Sequence, residues 1–270
     1  SDSAWYNLGV VYSRLDKAEK AIEAYDYALA INSENLLALF NKGNILSNLE
    51  RYPEAIAIFH EYIEAEPDCF DARNSLAECY EKSGDYNLAR KYYRDAIELA
   101  PDSADAWFGL GIIELNTGNV DNSLMFFRKA VRLDDENPEP WFLLGKAHYA
   151  KGEIKSAIAC IREALKLDAY YEEVWGVLGK IIIRENLIHK AIPYLEKAYR
   201  VTGDTPGINY LISVLNLHAG NPQKALKHLG GFFPADAQAA VVLKPANGAL
   251  HGPATLVSAE FAAVLGFVLR

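Results

Sequence analysis

The chain has 270 residues, of which 51% are hydrophobic and 23% charged, a globular composition that excludes collagen-like and disordered character. Its 27 basic and 36 acidic residues leave a net charge of −9, which repels phosphate and argues against nucleic acid as a partner. No stretch reaches the roughly 18 uncharged apolar residues of a membrane span, and Ser1, Asp2 and Ser3 lack the basic and apolar regions of a signal peptide. The chain opens almost inside a helix, which leads us to expect an upstream segment. Cys69, Cys79 and Cys160 are too scattered for a disulfide framework or a metal site and read as small buried residues. With no Asn-x-Ser/Thr acceptor present, a reducing, cytoplasmic compartment is expected.

Internal repetition decides the architecture. Trp5, Trp107, Trp141 and Trp175 are separated by 102, 34 and 34 residues, all multiples of 34. Cut at that period, the chain divides into seven units opening at Asp2, Leu36, Phe70, Ala104, Pro138, Glu172 and Pro206, and each tryptophan falls at position four. Position eight reads Gly9, Gly43, Ala77, Gly111, Gly145, Gly179 and Ser213. Position twenty reads Ala21, Ala55, Ala89, Ser123, Ala157, Ala191 and Ala225. Position twenty-four is always large and apolar: Tyr25, Phe59, Tyr93, Phe127, Ile161, Leu195 and Leu229.

In chain order, unit one sets Trp5, Leu8, Gly9 and Tyr12 on a first predicted helix and Ala21, Tyr25 and Ala28 on a second. Pro67 and Pro101 stop the second helices of units two and three. In unit four, Trp107, Leu110, Ile113 and Glu114 flank Gly111 on one face. Gly118 then ends that helix, and Leu124, Phe127, Ala130 and Val131 form the inward stripe of the next. Gly84, Gly152 and Gly220 repeat that turn in units three, five and seven. Each unit is thus a helical hairpin, with the glycine of position eight and the alanine of position twenty marking where its two backbones approach. One hairpin cannot bury its apolar face alone, so neighbours must stack into an all-α solenoid without separate domains.

These columns resemble the tetratricopeptide repeat: Trp5, Leu8, Gly9, Tyr12, Ala21, Tyr25 and Ala28 match its pattern in unit one, and Leu76, Ala77, Tyr80, Ala89, Tyr93, Ala96 and Pro101 in unit three. The resemblance implies a right-handed superhelix over residues 1–234, an inner groove lined by the first helices that binds other proteins, and no catalytic activity or cofactor. The tail departs from the pattern. Gly230 to Pro234 should truncate the last helix, and residues 235–270 hold ten alanines and only four charged side chains. Val257, Phe261, Val264, Leu265 and Val268 recur at helical spacing behind Ser258, giving a helix near 257–269 that caps the last repeat, docks on another chain, or is foreign to the array.

The groove residues are those at positions two, five, nine and twelve. Position five carries Tyr6, Phe40, Asn74, Phe108, Phe142, Gly176 and Tyr210, an aromatic strip able to grip a peptide or helix, or else simple packing between hairpins. Position nine varies: Val10, Asn44, Glu78, Ile112, Lys146, Lys180 and Val214. Lys146 and Lys180, one repeat apart, face an acidic group on a partner or are merely solvated. The acids at position two (Asp71, Asp105, Glu139 and Glu173) suit the helix dipole as well as a basic ligand. Two binding modes known in the family fit poorly. At the chaperone-binding carboxylate clamp positions, Tyr6, Val10, Asp71 and Ser75 replace the required residues and only Asn41 agrees. An asparagine ladder at position six has two rungs, Asn7 and Asn41.

No phosphate loop, His-Glu-x-x-His or Gly-x-Ser-x-Gly pattern occurs, the six histidines show no metal-ligand spacing, and Asp134, Asp135 and Glu136 read as a solvated turn. The reading is a scaffold that binds a protein or peptide segment through Tyr6, Phe40, Asn41, Asn44, Asn74, Glu78, Phe108, Ile112, Phe142, Lys146, Lys180 and Tyr210. The alternatives are the targeting array of a larger enzyme or assembly, and a self-assembling structural protein.

Overall fold

The computed structural model describes residues 1–168, 171–202 and 206–229. Among the described residues there are fourteen helices and no strand. They group into two compact units, Ser1–Asp135 and Glu136 onward. The first contains α1 (Asp2–Arg14), α2 (Ala18–Ile31), α3 (Leu36–Asn48), α4 (Tyr52–Ala65), α5 (Phe70–Lys82), α6 (Tyr86–Leu99), α7 (Ala104–Asn116) and α8 (Val120–Leu133). The second contains α9 (Pro138–Ala150), α10 (Ile154–Leu167), α11 (Glu172–Arg184), α12 (Ile188–Thr202), α13 (Pro206–His218) and α14 (Pro222–Leu229). The odd-numbered helices begin at the residues that open the seven 34-residue units. The tail segment 235–270, with its expected helix near 257–269 and the Gly230–Pro234 break, lies outside the described residues.

Each first helix ends in the same way. The N–H of position sixteen donates to the carbonyl of position eleven in every hairpin: Lys17 to Tyr12, Arg51 to Leu46, Asp85 to Tyr80, Asn119 to Glu114, Glu153 to His148, Leu187 to Ile182 and Asn221 to Asn216, all at 2.8–2.9 Å. This six-to-one bond requires a left-handed residue at position fifteen. Gly84, Gly118, Gly152 and Gly220 supply it with φ of +86°, +83°, +82° and +75°. In the other three hairpins Asp16, Glu50 and Asn186 are held at +54°, +59° and +54°, although a Cβ disfavours that region. Ser1, Asn35 and Asp85 cap the starts of α1, α3 and α6 with side-chain oxygens.

Packing within a hairpin rests on glycine against a large side chain. A methyl group placed on Gly9 would lie 2.5 Å from the Tyr25 ring, one on Gly43 2.8 Å from Phe59, and one on Gly111 2.5 Å from Phe127. Ala21, Ala55, Ala89, Ser123 and Ala157 at position twenty are fully buried, as is Ala225, which closes the same column. Where position eight is Ala77, the opening moves: Tyr93 from α6 presses its ring against Gly109 of the next hairpin. Between hairpins of the first unit, Ala38, Ala72 and Ala106 at position three are fully buried against the hairpin before, as are Cys79 and Ile113 at position ten. The equivalents in the first hairpin, Ala4 and Val11, are exposed, Val11 by 50%.

Two predictions follow from these contacts. Alanine is ordinarily favoured over glycine within a helix by about 1 kcal/mol. Gly176, inside α11, has open space around it and should show that gain as Gly176→Ala. Gly111→Ala should instead cost on the order of 1–3 kcal/mol, because the overlap with Phe127 outweighs propensity. Urea denaturation of the two variants reads both signs, and a gain at Gly111 would refute the packing argument. At position fifteen, Glu50→Gly should stabilise by about 0.5–1 kcal/mol and Gly84→Ala destabilise by about 1 kcal/mol, checked by thermal melts.

Candidate functional site

In the first unit the first helices lie side by side, α1 against α3, α3 against α5 and α5 against α7, so residues at equal positions form columns along one face. Position five sits where that face meets the hairpin core. The Tyr6 ring lies 6.0 Å from Tyr25, Phe40 lies 5.9 Å from Phe59 and 5.4 Å from Tyr62, and Phe108 lies 5.9 Å from Phe127. All three are half-buried, each packing against the ring at position twenty-four. Asn41 from α3 donates to the Tyr6 hydroxyl at 3.4 Å, bridging two neighbouring first helices. Asn74 continues the column, with its Oδ1 buried and without a hydrogen-bond partner. At position nine Val10, Asn44 and Ile112 are half-buried and Glu78 is exposed.

The second unit differs in chemistry. Phe142, expected on the ligand-facing strip, is only 5% exposed. Tyr171 packs edge-on against it at 5.2 Å, and the Lys146 ammonium lies 5.4 Å above its ring, so Phe142 is core and its face is covered. Gly176 leaves open space at the same position of α11. Tyr210 on α13 is half-buried with its hydroxyl enclosed and unpartnered, and burial pushes the phenol up to about 12. At position nine, Lys146 is drawn below the ordinary lysine range, first by burial and then by the Lys180 charge. Arg184 of α11 stacks on Tyr149 of α9 at 5.4 Å and donates to its hydroxyl at 3.3 Å. Tyr149 occupies position twelve, one of the positions assigned to the groove. Arg184, one residue further along its unit, is visible only once α9 and α11 are placed together.

Position eleven holds ionisable groups that the repeat pattern does not single out. Glu114 accepts from Arg90 Nε at 2.8 Å, Asn119 at 2.9 Å and Asn122 at 3.4 Å. Burial raises its pKa, but these bonds outweigh burial and hold the carboxyl below the usual range. His148, buried, lies 2.6 Å from Glu153 through Nδ1, an interaction that lowers the Glu153 pKa. Tyr93 donates to buried Glu81 at 2.9 Å. These pairs tie a first helix to its own hairpin or to the hairpin before, and none opens onto the column of position five. The Cys79 thiol, pushed up by burial, donates to Ser47 Oγ at 3.4 Å, and none of the three cysteines is in a disulfide. Among the described residues no group of three or more His, Cys, Asp or Glu is placed to hold a metal ion, and no helix is long and apolar enough to cross a membrane.

Comparison with known proteins places this geometry. Family models of the tetratricopeptide repeat match residues 3–35, 40–103, 80–138 and 138–171. The general transcriptional corepressor ssn6 of Schizosaccharomyces pombe is 27% identical over 93 residues, 34% of this chain. The match spans only 8% of that relative's length. Among solved structures, MamA from Desulfovibrio magneticus RS-1, solved from its residue 41 to the end, superposes with a TM-score of 0.57 at 22% identity, covering 63% of this chain and 97% of that one. The pilF protein of Pseudomonas aeruginosa gives a TM-score of 0.63 at 15% identity over 74% of this chain and 91% of that one. At these identities the structures establish a shared fold.

Replacing Arg90 by methionine strands the buried Glu114 carboxylate with only amide donors. The expected cost is about 3 kcal/mol at neutral pH. A carboxyl whose folded pKa is lowered stabilises above the unfolded value of 4.5, and that stabilisation is lost as pH falls through the folded value. The native chain should therefore lose its advantage over Arg90→Met as pH drops below about 4.5. Urea melts at neutral pH and in acid, run on both proteins, check the expected convergence.

Proposed function

We propose, because this chain belongs to the tetratricopeptide repeat family, that it is a non-catalytic scaffold whose first-helix face binds a segment of another protein. One observation carries the reading: Tyr6, Phe40 and Phe108 share a column, each half-buried and packed on its inner side against a core ring. An aromatic immobilised before binding loses little entropy when a ligand covers it, which is what makes such residues anchors. Asn41, Asn44 and Asn74 lie among them, and the enclosed Asn74 Oδ1 offers an acceptor whose desolvation has already been incurred. A backbone or side-chain N–H of a bound segment would satisfy it. The groove assignment also includes Glu78 and Ile112 in the first unit and Lys146, Lys180 and Tyr210 in the second. A second reading, a recognition array within a larger protein, draws on the 8% of the corepressor's length that the match spans. Three cysteines outside any disulfide fit a reducing, cytoplasmic compartment.

The test is retention of partners from source-cell lysate on the full chain, beside a Tyr6→Ala, Phe40→Ala, Phe108→Ala variant of unchanged helical circular dichroism. Phe142 is left intact because it is core. A protein held by the native chain and lost by the variant is the expected result. Equal retention by both would place the binding surface elsewhere.

A further inference from the structure

The first-helix face of the second unit gathers cations in a chain of net charge −9. Lys146 and Lys180 stand at position nine of α9 and α11, which pack on one another, and Arg184 stands four residues beyond Lys180. None of the three has a carboxylate partner among the described residues, a state they share with Arg14, Lys20, Lys82, Lys91 and Lys129, so a ligand carboxylate here displaces no existing ion pair. Two of the three lie over aromatic rings, Lys146 over Phe142 and Arg184 over Tyr149, each at 5.4 Å. Burial first, and then the like charge of Lys180, destabilise the Lys146 ammonium where it stands. The column supplies no acid nearer than Glu139 and Glu173, which lie at position two, seven residues back along their helices. At position nine of the first unit Val10, Asn44, Glu78 and Ile112 carry no cation, so the lysine pair is particular to the second unit, whereas position thirteen is basic in both, with Arg14 and Lys82 in the first.

We propose that this face is a recognition site for an acidic polypeptide segment, with Lys146 and Lys180 taking successive carboxylates and Arg184 a third. The proposal rests on the first-helix face being the binding surface and names the chemistry of one part of it. Alternate residues of an extended chain point the same way about 7 Å apart. That spacing is commensurate with the ~8–10 Å between the axes of packed helices, so one strand edge reaches both lysines. Carboxylates entering here replace the repulsion between the lysines with attraction, without displacing an existing ion pair. A long polyanion is disfavoured by the field of the acidic chain around the site.

The test is fluorescence anisotropy of labelled hexaglutamate and hexaglutamine peptides titrated with the full chain, with heparin as competitor. Hexaglutamate should bind at least about tenfold more tightly than hexaglutamine. The preference should weaken as salt rises from about 0.05 M to 0.5 M. Lys146→Glu with Lys180→Glu should remove the preference, and Arg184→Glu, at an exposed residue, should reduce it independently should the double variant fold poorly. Equal binding of the two peptides, a preference unchanged in both variants, or heparin displacing the peptide at a lower charge equivalent than free hexaglutamate would each overturn the proposal. If that happens while the Tyr6/Phe40/Phe108 variant still loses its lysate partner, only the acidic-segment assignment falls. Loss of both results removes the first-helix face itself.

Discussion

The structure depends on how closely two helices approach within a hairpin. Glycine at position eight lets the ring of position twenty-four lie flat against the partner backbone, at distances where any Cβ would collide. The alanines and serine of position twenty, fully buried from Ala21 to Ala157, keep the other side of the seam equally thin. Dispersion falls off steeply with distance, so this seam contributes strongly only while it is narrow. The exchange seen around Ala77 shows that the constraint is on volume. When position eight gains a methyl group, Tyr93 finds its space over Gly109 instead, and the ring then ties two consecutive hairpins together.

The seam orders the first-helix face as a by-product. A ring clamped at position twenty-four provides a wall for position five, so Tyr6, Phe40 and Phe108 are held from behind by Tyr25, Phe59 and Phe127. The recurrent six-to-one bond at the end of each first helix fixes where the next helix starts, and so repeats this relation at a constant spacing. Residues at positions nine and twelve are consequently free to differ. In the second unit that freedom has been used to place Lys146 and Lys180 at position nine and Tyr149 at position twelve, where the first has aliphatic, amide, hydroxyl and acidic groups.

Much of this was readable from the residues, because periodicity reports packing that every hairpin shares. The unit boundaries, the glycine–ring column and four of the left-handed turns follow from spacing alone. Asp16, Glu50 and Asn186 were not legible as turn residues, since the backbone bond that imposes the conformation belongs to the motif and leaves no trace in side-chain type. Phe142 was misplaced on the open strip because its cover comes from Tyr171, which lies before the next first helix, and from the flexible stem of Lys146. The Arg90–Glu114 pair joins one hairpin to the next. A search within a single period does not connect two such residues.

The contact between Tyr6 and Asn41 has a consequence for motion. In an array whose stability is a sum over neighbours, two adjacent hairpins part against the contacts they share. Tyr6 sits on the first hairpin and Asn41 on the second, and their side chains meet in a hydrogen bond of 3.4 Å. A segment lying across both would act as a splint, felt in amide exchange as slowed opening of the pair.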